Sequence, residues 1–404
     1  MGNITKTISD CLMTDGREKT MSEKKLATRA QLAIDRRQFM NVAGKLGFGV
    51  AAVAAAGGLL WDDVALAQLA QDEAKKESAA KVKMQFATEY KNEDFVRLPI
   101  MQVKFKENVE AASKGEIFVK LFPSGALGIG AALAQKIQSG TVSGGAVSLS
   151  NFSPFTAVVD LINLPYWCGE NQKFANLVTS AAWNDEITPK VLEKGYKPIF
   201  YFTMGPRTIS TRKGFRAIRT PKDMEGMKMR VPPSAILQQI YKLAGANPTV
   251  VAWGETAAAI KQGVADGLDP AITALATFGF HDILGNVTFV KTVPDAQMFA
   301  CNAGWYRALS DTYRKAFDDA SVKTQAESFA QIEVCRKEAI RIMTAEGCQF
   351  HELTADEYKA WVDACGEQKK EWDEFKIKLA GSLDGFEKFK KAANTKGPIT
   401  VADA

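Results

Sequence analysis

From Lys81 to Gly267, apolar runs of strand length alternate with stretches whose apolar residues recur at helical spacing. That alternation restricts the chain to parallel or mixed sheets flanked by helices. KVKMQFA from Lys81 reads as a strand, 98–112 as a helix and IFVKLF as a second strand, a β-α-β beginning. The turn FPSGALGIG leads into a helix at 131–138 and a small-residue strand from Gly144. After Tyr196, KPIFYF and MKMRVPP are further strands, the second ended by its prolines. Ser234 is placed to cap a helix carrying Ile236, Ile240 and Leu243, with Gly245 as its stop. PTVVA, a helix at 255–262 and a turn at Gly267 continue the order. Sheets of this kind take ligands in a crevice at the carboxyl ends of their strands.

Beyond Asn302 the pattern becomes helical. Ser310 can cap a long helix running towards Glu346, and Thr354 with Glu357 forms a capping box before another. The last stretch, with Trp372, Phe375, Phe386 and Phe389 among lysines and acids, reads as an amphipathic helix packed on the body.

The first 67 residues differ from the rest. Arg36-Arg37 precede an apolar, Ala/Gly-rich run from Leu46 to Leu60, shorter than the roughly 20 residues a spanning helix needs. The run closes near Ala65-Leu66-Ala67, a small-x-small pattern, so 1–67 reads as a twin-arginine signal peptide cut after Ala67. A buried helix is the competing explanation, and Met21 is an alternative start. The segment 68–80 reads as a linker.

Of 404 residues, 46% are hydrophobic and 24% charged, enough for a large core, and the +5 charge is dispersed without a basic block, which argues against nucleic acid. Outside the leader there are five cysteines, Cys168, Cys301, Cys335, Cys348 and Cys365, an odd number with no Cys-x-x-Cys pair. The only histidines are His281 and His351. No cofactor, metal centre or catalytic set is implied. Gly128-Ile129-Gly130 lacks the third small position of a dinucleotide loop.

Three pieces of sequence, in order, resemble the DctP-type substrate-binding subunits of tripartite ATP-independent periplasmic (TRAP) transporters: LFPSGALG, Asn163-Leu164-Pro165-Tyr166, and the run PKDMEGMKMRVPPSAILQQIYKLAGANPTVVAWGETAAAIKQGVADG from Pro221 to Gly267. The resemblance implies an α/β, periplasmic binding protein-like fold of type II character, with two lobes closing on a solute and long C-terminal helices bridging them. On this basis lobe I is 81–204 plus 295–335, lobe II is 205–294, and 336–404 braces both. It further implies a periplasmic protein, not an enzyme, that passes a small organic anion, a carboxylate or sulfonate, to one small and one large membrane subunit. A sensor accessory and a periplasmic enzyme are the rival readings.

By position, Arg230 in the Arg-Val-Pro strand corresponds to the arginine that grips the carboxylate, a task suited to a planar, permanently charged fork; a structural ion pair at a strand end is the other explanation. Arg207 corresponds to a second ligand-facing arginine, or is a loop arginine in water. Trp253 falls where an aromatic ring meets the solute, or belongs to the core, and Glu255 caps the following helix or pins the hinge. Pro270 stands where many relatives carry a ligand-binding asparagine, which leaves Asp269 to bind a hydroxyl or amino group or to cap the next helix. Glu89, Ser148, Asn151, Phe152 and Phe299 complete the implied cleft, with ordinary turn hydrogen bonding as the alternative for Ser148 and Asn151.

Overall fold

The structure, a computed structural model, describes residues 63–401. The paired arginines and the apolar run of the leader lie outside the described residues. Eleven strands among the described residues form two mixed sheets. The first contains β1 (Val82–Thr88), β2 (Ile117–Phe122), β3 (Gly144–Ser148), β4 (Tyr196–Pro206) and β10 (Pro294–Asn302), ordered β2-β1-β3-β10-β4. The second contains β5 (Ile209–Arg212), β6 (Lys228–Val231), β7 (Asn247–Val250), β8 (Gly267–Leu268), β9 (Leu284–Thr288) and β11 (Gln349–His351), ordered β11-β9-β5-β8-β6-β7. In each sheet the strands joined through helices run parallel, as β1 does to β2 and β6 to β7. The two-lobe α/β architecture implied by the sequence is the one observed.

The chain changes sheets twice at one place. It leaves β4 through Arg207 and Thr208 into β5, and returns from β9 into β10, where the Arg207 amide donates to Val293 O at 2.9 Å. A helix of 35 residues, Asp311–Ala345, roughly 50 Å long, packs on β4, on the Gln102–Ala112 helix and on the Ile272–Thr277 helix, so it touches elements on both sides of the crossing. The C-terminal helix Leu383–Ala393 packs on the helices Asn171–Val178 and Ala181–Glu193, and Trp372, Phe386 and Phe389 are fully buried.

Within the segment 68–80 expected as a linker, residues 68–79 are helical and belong to a helix, Asp63–Ala79, that spans the expected cleavage position after Ala67. Its Ala-, Gln-, Glu- and Lys-rich composition favours helix, and Glu73 pairs with Lys106 at 2.9 Å and Glu77 with Lys120 at 3.0 Å, which ties it to the body. The five cysteines outside the leader are buried free thiols.

Candidate functional site

A cavity of about 40 Å³ is lined by residues from both sheets. It sits where strand ends converge: Glu89 and Tyr90 follow β1, Ser148 ends β3, Met204 lies near the end of β4, and Pro232 follows β6. Four charged side chains face it, namely Glu89, Arg207, Arg230 and Asp295.

Arg230 lies on β6, and Pro232 and Pro233 after it prevent the strand from continuing. It is 3% exposed, yet forms no side-chain ion pair among the described residues. Its Nε and Nη2 donate to one backbone oxygen, Val251 O, at 3.0 and 2.8 Å. That fixes the Nε edge of the guanidinium and leaves the Nη1–Nη2 edge, the end-on fork that matches a carboxylate, without a protein partner. Burial pushes its pKa down to about 10, so it is still a cation at neutral pH.

Arg207 is equally buried but differently placed. Its Nη1 meets Asp269 Oδ1 at 3.0 Å and its Nη2 meets Asp295 Oδ1 at 2.9 Å. Asp269 Oδ2 accepts from the Tyr241 hydroxyl at 3.2 Å, and Asp295 Oδ2 accepts from the Ala271 amide at 3.0 Å. Gln297 Nε2 reaches Asp295 Oδ1 at 3.4 Å, and the Tyr90 hydroxyl donates to Gln297 Oε1 at 3.2 Å. One chain of polar contacts therefore runs from Tyr90 beside the first sheet to Tyr241 beside the second, with Arg207 in the middle. Gly267 makes the close approach possible, since a Cβ there would collide with Ser210 O of β5 and Met227 Cε. Two residues later the chain delivers Asp269 to Arg207.

Glu89 is part-buried, with an Oε2 that is out of solvent and has no hydrogen-bond partner. Loss of solvation pushes its carboxyl up to about 7, offset in part by the Tyr90 hydroxyl and the Arg230 charge. Trp253 opens the Trp253–Lys261 helix and lines the cavity, with Phe280 stacked on its ring at 5.0 Å and the Arg230 guanidinium over it at 5.4 Å. Among the described residues no group of three His, Cys, Asp or Glu side chains is placed to hold a metal ion.

Residues 87–376 match the model of bacterial extracellular solute-binding protein family 7, the DctP family. The chain belongs to this family. It is 29% identical over 232 residues to a solute-binding protein of Roseobacter denitrificans, covering 57% of this chain and 67% of that one. It is 23% identical to a C4-dicarboxylate-binding periplasmic protein of Vibrio cholerae, over 69% of this chain and 82% of the relative. Among solved structures, a sugar acid binding protein of Advenella mimigardefordensis in complex with galactonate superposes with a TM-score of 0.71 at 19% identity, covering 79% of this chain and 99% of the other. The DctP family is one of binding proteins.

Of the nine cleft residues expected from the sequence of this DctP-family chain, Glu89, Ser148, Asn151, Arg207, Arg230 and Trp253 line one cavity. Three do not. Asp269 is fully buried behind Arg207, with both carboxylate oxygens engaged, and neither faces the cavity nor caps a helix through its side chain. Phe152 is fully buried edge-to-face against Tyr196 at 5.1 Å. Phe299 sits in a phenylalanine cluster, stacked on Phe200 at 4.3 Å and 4.8 Å from Phe86. Glu255 is exposed in the first turn of its helix, where an acid suits the helix dipole. Tyr90, Phe278, Asp295 and Gln297 line the cavity and were not foreseen. The signal for two of them was the alternation of β10: Asp295, Gln297 and Phe299 share a face, and the strand end reaches the cavity where its middle enters the core.

Proposed function

We propose that this protein captures a small solute bearing a carboxylate or sulfonate by closing its two lobes, with 81–204 plus 295–335 and 205–294 as the moving parts, and delivers it in the periplasm to TRAP membrane subunits. Membership of the DctP family supports the transport role, and the cavity between strand ends supports the site. One observation carries the carboxylate assignment. Arg230 is a buried cation on the cavity wall that has a backbone carbonyl on its Nε edge, no acid partner, and an Nη1 without a protein partner among the described residues. A bound acid group would complete it with two parallel charge-assisted hydrogen bonds.

The test is titration calorimetry of the solute recovered with the purified protein and identified by mass spectrometry. Arg230→Ala leaves the solute's acid group buried without a partner, a loss of about 2 to 5 kcal/mol, or roughly 30-fold to several thousand-fold in Kd. Wild-type affinity in the variant would remove the assignment.

A further inference from the structure

The two arginines at the cavity do not make it a strongly positive site. Arg207 carries one positive charge against two carboxylates, Asp269 and Asp295, so that group is negative by one. With Arg230 added the sum is zero, and an ionised Glu89 makes it negative again. An acid bound at Arg230 pairs that guanidinium but leaves Glu89 facing the same cavity with no cation opposite it. A second acid group on the solute would meet no free cation, because Arg230 is the cavity's one cation without a carboxylate partner among the described residues.

The remaining polar demand points in one direction. Asp269 and Asp295 have both oxygens engaged by protein donors, whereas Glu89 Oε2 has none. Tyr90 and Phe278 place two aromatic rings on the same cavity, centroids 5.8 Å apart and inclined at 62°. A carboxylate beside aromatic faces is a favourable setting for a cation, since ring quadrupole and carboxylate attract it together and little water competes. Given the Arg230 assignment above, on which this rests, we propose that the cleft takes a zwitterion: an acid group held by Arg230 and a protonated or quaternary nitrogen held by Glu89 beside Tyr90 and Phe278. Every charge at the site then has a partner. The raised affinity of Glu89 for a proton has the same origin, a buried acid awaiting a positive partner.

The test uses the full chain, freed of carried-over solute by unfolding and refolding, and probes of three, four and five carbons. At each length an ω-amino acid, the plain monocarboxylate and the dicarboxylate are compared by calorimetry, alongside mass spectrometry of the solute recovered from untreated protein. The ω-amino acids should bind at least ten-fold tighter than either partner of equal length. Glu89→Gln, which keeps the shape and removes the charge, should abolish that preference, and the recovered solute should contain a cationic nitrogen, protonated or quaternary. Acids that bind as tightly as the amino acids, or a recovered solute without nitrogen, overturn the proposal. So does uptake of about one proton with each plain acid, measured in buffers of different ionisation enthalpy, because Glu89 would then be neutralised by a proton. Arg230→Ala separates the two levels of argument. If it removes binding of every probe while no amino-acid preference exists, only the zwitterion fails; if it leaves binding unchanged, the Arg230 assignment fails first.

Discussion

Arg207 and Arg230 lie on the same cavity, each 3% exposed and each close to a strand end, and they differ in what the fold brings to meet them. Arg207 stands at the sheet crossing, where the end of β8 delivers Asp269 and the start of β10 delivers Asp295. Arg230 stands near the end of β6, where the neighbouring segment offers the carbonyl of Val251 and the ring of Trp253 and no acid. A cation enclosed by two acids is part of the scaffold, whereas a cation with an open fork is a place for something else to bind. Residue type and spacing are silent on that distinction.

The sharpest way to break the comparison is to remove each guanidinium and measure stability and affinity separately. Arg207→Ala leaves two buried carboxylates uncompensated and should cost about 3 to 5 kcal/mol of folding stability, read by urea denaturation, with solute affinity per folded molecule within a few-fold of wild type. Arg230→Ala should show the reverse, since it deletes a buried charge that has no acid partner in the protein. A stable Arg207→Ala protein that no longer binds would place both arginines in the binding machinery and erase the contrast.

A second measurement concerns the acid on the open side. Glu89 has an ordinary carboxyl value of 4.5 that burial raises to about 7, so the folded protein holds this proton more tightly than the unfolded chain does. Its contribution to stability is fully present below pH 4.5 and is lost as pH rises through 7. At about 1.4 kcal/mol per pH unit, the span between those values limits the loss to about 3 kcal/mol. Glu89→Gln removes the titration, so in solute-free protein the variant should gain on wild type across that window and hold its advantage above it. Asp94, raised to about 6 mainly by burial, titrates in the same direction in both proteins and cancels in the difference. Parallel stability curves from pH 4 to 8 would show that Glu89 keeps its solvation.

How far the sequence carried this picture can be traced residue by residue. Local signals were legible because they act over a few residues. Ser234 caps its helix by accepting from the Leu237 amide, Ser310 accepts from the Tyr313 amide at the head of the long helix, and Thr354 with Glu357 forms the capping box read from the chain. The strand IFVKLF begins and ends where its apolar run does. The position of Arg230 was legible through a motif. The partners of Arg207 were not, because Asp269 and Asp295 lie 62 and 88 residues further along, and only the paired crossing brings them together. Phe152 and Phe299 were misplaced for a related reason: an aromatic residue near a cleft strand has the same signature whether it faces the cavity or the core.

The smallest expected effect tests the contrast most finely. The Tyr241 hydroxyl donates to Asp269 Oδ2 at 3.2 Å, with both residues fully buried, and it touches the Arg207 group from the side away from the cavity. Tyr241→Phe deletes one oxygen without opening space in the core and leaves one carboxylate lone pair without its donor. For a hydrogen bond to a charged acceptor the cost is about 1.5 to 3 kcal/mol, and the length of this one places it near the lower figure. If Arg207, Asp269 and Asp295 form a fixed scaffold, that cost appears in folding stability alone and Kd changes by less than about three-fold, which corresponds to roughly 0.6 kcal/mol. The Arg207→Ala and Tyr241→Phe effects should also fall short of additive when combined, because both act on the same carboxylate. An affinity loss in Tyr241→Phe with unchanged stability would mean that Asp269 turns from Arg207 when solute binds, and the two arginines would then answer to one ligand.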